Sequence, residues 1–397
     1  MKIIAIHNFH RKGSASGDDQ VFKSETALLE SHGHEIVKYT VSNDEFDNAN
    51  FFQKILKTFG MVWSNKNYRS VRKLCQQEKP DLVHIHTFFP LLSPSILYAA
   101  QRSGCKVVVT LHDTRFVCPC ATSLRNNTIC NECGDGHYFR MCKYGCFKGS
   151  KSQSFIVAGV FKYHRMRKSF YRQIVKYICL NDNQINLLTG IGFDSTKIVK
   201  KYNFVPDAEA NTAFEKVDHL PERYVVFYGR IGEEKGIRVL MKIWDKVSSI
   251  PLVVMGGGPF EEEFKTWAST KENVFFLGYT QHEKCLSIVK GAEFVIFPSI
   301  WYEGCSMVEI EAQSLGKCIV ATDLGFSAEA ITDGENGYKV SIGDIDGFIE
   351  KICFLWQHPS DAHRMGLNAR SEYESKYLPE DNYAQLMRIY NSIGGKT

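Results

Sequence analysis

Short apolar runs alternate along the chain with segments of helical period, and past the middle the alternation starts again. Lys2–His7, His34–Val41, Asp81–His86, Lys106–Leu111 and Tyr177–Leu180 are runs of strand length. Between them, apolar residues recur in a helical pattern, as in Val21, Phe22, Leu28 and Leu29 before Gly33. The second half repeats the scheme with Tyr224–Tyr228, Leu252–Met255, Val274–Leu277, Phe294–Phe297 and Cys318–Ala321, a helix over 282–290 and a helical tail from Pro359. Nearly continuous apolar strands alternating with helices predict an α/β fold built on parallel sheets, because such strands are covered on both faces. A chain of 397 residues suits about two domains. Asn203-Phe204-Val205-Pro206 is predicted as the linker, giving domains over 1–205 and 206–375, with a closing helix over 376–397 that returns toward the first domain.

Charge sharpens that division. Residues 1–206 hold 29 Lys and Arg against 15 Asp and Glu, leaving 19 against 29 for the rest. The first half should therefore seek an anionic partner. Two of its segments could meet one. In 51–63, Phe52, Ile55, Leu56, Phe59 and Trp63 share a helical face, followed by Lys66, Arg69, Arg72 and Lys73. In 155–176, a predicted helix mixes Lys162, Arg165, Arg167, Lys168, Arg172 and Lys176 with Phe161, Tyr163, Phe170 and Tyr171. The first suits a membrane interface or a greasy acceptor, or else is an ordinary helix packed on a sheet; the second could track phosphates of nucleic acid or lipid, or be only a solvated face. No apolar run reaches the roughly 20 residues of a membrane span, and the opening residues are not expected to act as a secretion signal. The expected location is cytoplasmic, with peripheral attachment to the inner face of the plasma membrane.

Six of the 13 cysteines fall within 118–146. Cys118, Cys130, Cys133 and Cys142 have the character of a structural zinc site that staples a polar loop, and free thiols are the alternative.

The densest chemistry lies in 297–323. A strand ends at Pro298-Ser299, Glu303-Gly304 follows, and helical spacing sets in from about Ser306. A helix N-terminus behind small residues is an anion site. Flanked by Glu303 and Glu311, it fits a ligand with a charged middle and hydroxyls at both ends, the layout of a nucleotide sugar. If the segment were helical throughout, the two carboxylates would stand about 12 Å apart, too far for the ~5 Å pair of a retaining glycosidase. Arg230 and Lys235 flank a tight turn after Tyr224–Tyr228, where two cations could neutralise a departing diphosphate. The loop Lys12–Asp19 is a small-residue turn suited to close backbone approach, and His112 ends the strand Lys106–Leu111 on the edge where open α/β sheets bind ligands.

Together these residues resemble the family 4 retaining glycosyltransferases of the GT-B fold. The matches are Gly229-Arg230 with Glu234-Lys235-Gly236, Gly256-Gly257-Gly258-Pro259, Pro298-Ser299 with Glu303-Gly304 and Glu311-Ala312, and Thr110-x-His112-Asp113. The Cys-rich insert is similar to that of polysaccharide-building members. The resemblance implies two Rossmann-like, doubly wound domains facing across a cleft. It also implies roles. Glu303 would hold donor-sugar hydroxyls, Glu311 the ribose, and the backbone of Gly304, Cys305, Ser306, Met307 and Val308 the sugar and diphosphate. Arg230 and Lys235 would neutralise the leaving group, His112 would sit beside the donor sugar, and Gly17 would match one of two loop glycines, with Ser16 in place of the other. Cys305 and Ser306 stand where the family usually has Phe-Gly. The implied activity is retaining transfer of a hexose from a UDP- or GDP-sugar to a lipid-linked or growing glycan in capsule, O-antigen or exopolysaccharide synthesis, without a catalytic metal. A sugar-nucleotide epimerase or a phosphorylase could share the fold. A zinc-stapled nucleic-acid-binding protein is a different class, which steeply salt-dependent binding to DNA or RNA would mark; no nucleic acid is expected.

Overall fold

The computed structural model, which describes residues 1–11, 16–48, 50–126, 128–213, 217 and 220–394, divides into two compact units. The first comprises Met1–Ser123, Cys130–Tyr202 and the chain from Tyr383 onward; the second comprises Asn203–Asn382 with Leu124–Ile129. Of the small-residue loop read from the sequence, residues 12–15 lie outside the described residues.

Strands β1 (Lys2–Phe9), β2 (Glu35–Ser42), β3 (Leu82–Thr87) and β4 (Lys106–Leu111) are followed by a short hairpin, β5 (Leu124–Arg125) and β6 (Thr128–Ile129), and then by β7 (Lys176–Cys179) and β8 (Ile198–Lys200). The first unit's sheet has the order β2-β1-β3-β4-β7-β8, with every pair parallel. Ile4, Ile6, Val83 and Ile85 bury one face of it, and Ile3, Leu82, Val108 and Ile178 the other. That second face is covered by Leu386, Ile389 and Tyr390 of the closing helix Pro379–Ser392. The chain leaves β1 toward β2 and returns on the opposite side as β3, so the order reverses between β1 and β3. Such a reversal opens a crevice at the strands' C-terminal ends.

The second unit repeats the plan with β9 (Val225–Tyr228), β10 (Leu252–Met255), β11 (Val274–Gly278), β12 (Val295–Phe297), β13 (Ile319–Thr322) and β14 (Gly337–Val340). Their order is β11-β10-β9-β12-β13-β14, again all parallel, with the reversal between β9 and β12. Those are the strands that lead into Gly229-Arg230 and Pro298-Ser299.

Three expectations change. The basic aromatic segment 155–176 is not one helix. The helix Lys151–Met166 stops, Lys168 takes a left-handed turn at φ 53°, a short helix Ser169–Arg172 follows, and Lys176 already opens β7. The break lets Phe161 and Phe170 both reach the core, while Tyr163 stays out. Strands β8 and β14 went unread, being three and four residues long with lysines among them. Along the helix Phe51–Gly60, Phe52, Leu56 and Phe59 are 70–76% exposed, so their stripe faces solvent rather than a sheet; the side chains of Lys54 and Ile55 lie outside the description. Among the described residues, no helix is long and apolar enough to cross a membrane.

Candidate functional site

In the second unit, the loops after β9 and β12 are locked together by backbone contacts that only glycine permits. Gly236 sits at φ 73°, and a Cβ there would meet the Pro298 carbonyl oxygen at 1.8 Å. A Cβ on Gly256 would meet the Gly229 carbonyl oxygen at 1.7 Å, so β10 hands its loop to β9 with no room for a side chain. The backbone N–H of Ile300 donates to the Glu234 carbonyl at 3.0 Å, which ties the turn bearing Lys235 to the loop bearing Glu303.

That junction brings Lys235 and Glu303 together directly. Lys235 Nζ donates to Glu303 Oε1 at 2.7 Å, and Ser299 Oγ lies 2.8 Å from the same oxygen. The pair is largely shielded, with the side chains 19% and 7% exposed. The ammonium also lies 5.6 Å from the ring centroids of Phe297 and Trp301, and attraction to both ring faces helps hold it there. Arg230 is different. Its side chain is 52% exposed and its contact to Glu234 is a long 3.4 Å. The two cations read as a pair are thus one fixed and one solvent-facing.

Beyond Glu303 the chain is not yet helical. Gly304 and Cys305 belong to a loop, Ser306 caps the helix Met307–Ser314 by accepting from the Glu309 N–H, and only then does helical rise begin. A separation of about 12 Å between Glu303 and Glu311 holds only for a continuous helix, and the helix begins at Met307, after Glu303. Cys305 turns inward: its thiol accepts from the Asn203 N–H at 3.3 Å and its carbonyl from Asn203 Nδ2 at 3.0 Å. Cysteine here anchors the loop. Tyr228 Oη fixes the Val308 carbonyl at 2.6 Å.

Two carboxyls on this helix are pushed toward neutrality. Burial raises Glu311 to about 8, with His282 Nε2 3.5 Å away. Glu309, unread from sequence, is fully buried, and burial raises it to about 8 as well, with the nearby Glu303 charge adding to the rise. Its signal was a carboxylate among the apolar positions of a short helix.

The first unit gathers histidines at its own crevice. His84 and His86 alternate along β3 and so share a face, and Glu25 of the helix Gly17–Ser31 lies over them. Glu25 Oε1 is 3.2 Å from both His84 Nδ1 and His86 Nε2, and Lys201 Nζ donates to Glu25 Oε2 at 3.0 Å. His86 Nδ1 is 3.1 Å from His112 Nε2, with the two rings stacked. Burial would raise the Glu25 carboxyl, but Lys201 and the two histidines hold it well below the usual range. Burial lowers His86 to about 4, and burial with His86 beside it takes His112 well below its ordinary value, so both rings are neutral at pH 7. Of this group, sequence reasoning found only His112. Polar His-x-His inside an apolar strand was the missed sign.

Around His112 stand Asp18, whose Oδ1 is 3.9 Å from His112 Nδ1, and Asp113, which accepts twice from the Arg115 guanidinium at 2.9 and 3.2 Å. Burial raises Asp18 to about 6. Gly17 opens its helix rather than lying within a loop, and Ser16 is the N-cap: its hydroxyl accepts from the Asp19 N–H at 3.3 Å and meets His10 Nδ1 at 2.9 Å. Serine in place of a family glycine therefore carries a capping hydroxyl.

The Cys120 thiol beside it lowers Cys118 below the ordinary thiol range, whereas burial raises Cys133 to about 12. Among the described residues, Cys118, Cys130, Cys133 and Cys142 do not come within mutual ligand distance of one another; the group that does is Glu25, His84 and His86.

Comparison with known proteins adds three findings. The family model described as "Glycosyltransferase Family 4" matches residues 25–209, and that described as "Glycosyl transferases group 1" matches 210–372. Among curated relatives, a 2-deoxystreptamine N-acetyl-D-glucosaminyltransferase of Niallia circulans is 27% identical over 234 residues, 55% of this chain and 59% of the relative. The capsular polysaccharide biosynthesis glycosyltransferase CapM of Staphylococcus aureus is 27% identical over 229 residues, with the same two shares. The chain thus spans little more than half the length of these relatives. Among solved structures, Anabaena HepE in complex with UDP superposes with a TM-score of 0.66 at 15% identity, covering 99% of this chain and 100% of that one. At that identity the likeness carries the fold.

Proposed function

We propose, for a chain that belongs to the family 4 glycosyltransferases and has their GT-B fold, that it moves a hexose from a UDP- or GDP-sugar to a hydroxyl of a lipid-linked or growing glycan, with retention at the anomeric carbon. The observation that carries this is the Lys235–Glu303 pair, set beside the N-terminus of the helix Met307–Ser314 at the second unit's strand reversal.

The chemistry follows from that pairing. Glu303 is oriented by Lys235 and Ser299, so it can accept hydrogen bonds from sugar hydroxyls. The backbone from Gly304 to Val308 and the helix terminus meet the diphosphate. Arg230, exposed and lightly held, closes on the phosphates, and Lys235 adds its charge as the leaving group gains negative charge. Glu311, neutral at its raised value, can donate as well as accept toward ribose hydroxyls. Departure and attack on the same face, with the leaving phosphate oxygen taking the acceptor proton, give retention. His112 serves the sugar as a neutral hydrogen-bonding group. With two cations supplying the charge neutralisation, transfer is expected to persist in EDTA. Structural zinc at the Cys-rich insert would require its sulfurs to draw together, and metal analysis after reducing purification tests it: less than one zinc per chain removes it.

Capsule-related relatives support a cell-surface glycan as acceptor. The first unit's exposed Phe155, Ile156, Tyr163 and Met166, on a helix that also carries Lys151 and leads into Arg167 and Lys168, suit attachment to an anionic lipid surface from the cytoplasmic side.

The test is a screen of UDP- and GDP-sugars for thermal stabilisation and for transfer to glycan acceptors. One nucleotide sugar is expected to raise the melting midpoint and to be consumed; no response to any of them removes the proposal.

A further inference from the structure

The chemistry of Glu25, His84 and His86, whose ligand-type atoms lie within 4.8 Å of one another, would by itself fit a metal ion. Lys201 argues otherwise, because its ammonium at 3.0 Å already supplies the cation that Glu25 balances. The imidazole nitrogens are engaged too. His84 Nδ1 meets Tyr390 Oη at 2.7 Å and His84 Nε2 meets Thr110 Oγ1 at 2.8 Å, while His86 Nδ1 meets His112.

We propose that Glu25 and His86 are positioning residues which fix the tautomer of His112, so that His112 presents Nδ1 as an unprotonated acceptor to a hydroxyl of the sugar substrate. Each step is a matter of which atom can bear a proton. His86 Nε2 lies 3.2 Å from the Glu25 carboxylate oxygen, where the positive edge of an N–H is favoured over a lone pair, so His86 carries its proton on Nε2. A neutral ring has only one N–H. His86 Nδ1 is therefore an acceptor, and its partner at 3.1 Å, His112 Nε2, must be the donor. That leaves the lone pair of His112 on Nδ1, where Asp18 stands 3.9 Å off, beyond the hydrogen-bond reach that would draw the proton onto Nδ1. The relay is held from every side. Lys201 and His84 fix Glu25, the Phe22 ring packs at 5.3 Å on His86, and His7, itself bonded to Asp19 at 2.8 Å, lies 6.3 Å from it. Burial of the whole set keeps water from offering either ring a different partner.

This inference rests on the assignment of His112 to the sugar, and the tautomer can be read without any substrate. In protein labelled with ¹⁵N-histidine, long-range nitrogen–proton spectra between pH 6 and 8 are expected to show His112 neutral, protonated on Nε2 and bare on Nδ1. His86→Phe keeps a stacking ring but offers no acceptor. It should release His112 into a mixture of tautomers and lower kcat about tenfold, the scale of one orienting hydrogen bond, with nucleotide affinity within twofold of wild type. His86→Asn returns an acceptor oxygen near the old Nδ1 position and should restore both the tautomer and most of kcat. A wild-type spectrum with the proton on Nδ1, or an unchanged His112 spectrum in His86→Phe, overturns the relay. So does stoichiometric zinc binding that Glu25→Gln abolishes, since it would make the cluster a metal centre. If the spectra behave as expected and no nucleotide sugar is turned over, the proposed function fails and the relay stands.

Discussion

The two units share one plan and invert its electrostatics. Each is a six-stranded parallel sheet whose order reverses once, and each gathers polar side chains at that reversal. Beneath the first crevice lie histidines held neutral over a carboxylate that stays ionised. Beneath the second lie carboxyls pushed toward neutrality, beside one ionised pair, Lys235–Glu303. The difference teaches that topology sets where a site forms, while the side chains packed under it set which protonation states are cheap there.

The strongest way to break this comparison is at the ionised pair. Lys235→Ala should lower kcat by about 1000-fold, and Arg230→Ala by about 100-fold, the range for removing donors from a developing negative charge. Both variants should remain folded by circular dichroism. Equal, small losses in steady-state assays would show that the exposed and the held cation are not distinguishable. A difference of sign in pH dependence comes next. His86 falls from 6.5 to about 4 on folding, so its contribution is complete above pH 6.5 and is lost as pH drops toward 4. Glu309 rises from 4.5 to about 8, so its contribution is complete below pH 4.5 and is lost as pH climbs through 8. Calorimetry at pH 5 and pH 8 should therefore move the two units' transitions in opposite directions, each by on the order of 2 kcal/mol; parallel movement would dissolve the contrast. Glu309→Gln sharpens it, since a permanently neutral isostere should stabilise the second unit at pH 8 by about 2 kcal/mol and flatten its pH slope, leaving the first unit unmoved. Smallest is the surface effect. Phe155→Ser with Met166→Ser should reduce partitioning onto anionic vesicles about tenfold in sedimentation assays, each side chain withdrawing apolar area worth roughly 1 kcal/mol, with no change in transfer to a soluble acceptor.

Much of this could be read along the chain. Runs such as Val107-Val108-Val109 and Val253-Val254 specify buried parallel strands because no polar face remains, and the restart after Pro206 announced a second sheet. Glu303, Glu311, Arg230 and Lys235 could be singled out as candidates because turn glycines and strand ends mark where loops can approach a ligand. Their partnerships were not. That Lys235 grips Glu303 depends on Gly236 lying against Pro298, 62 residues on in the chain, a contact no local pattern encodes.

The sequence by itself determined the α/β alternation, the strand ends and the residue types available for chemistry, since these follow from local period and backbone preference. Only the tertiary structure decided that Cys305 anchors a loop on Asn203, that Glu309 is buried, and that His112 rests on His86 and Glu25. Burial and long-range hydrogen bonding set protonation, and both come from segments far apart in the chain, so the charge state of each site waited on the fold.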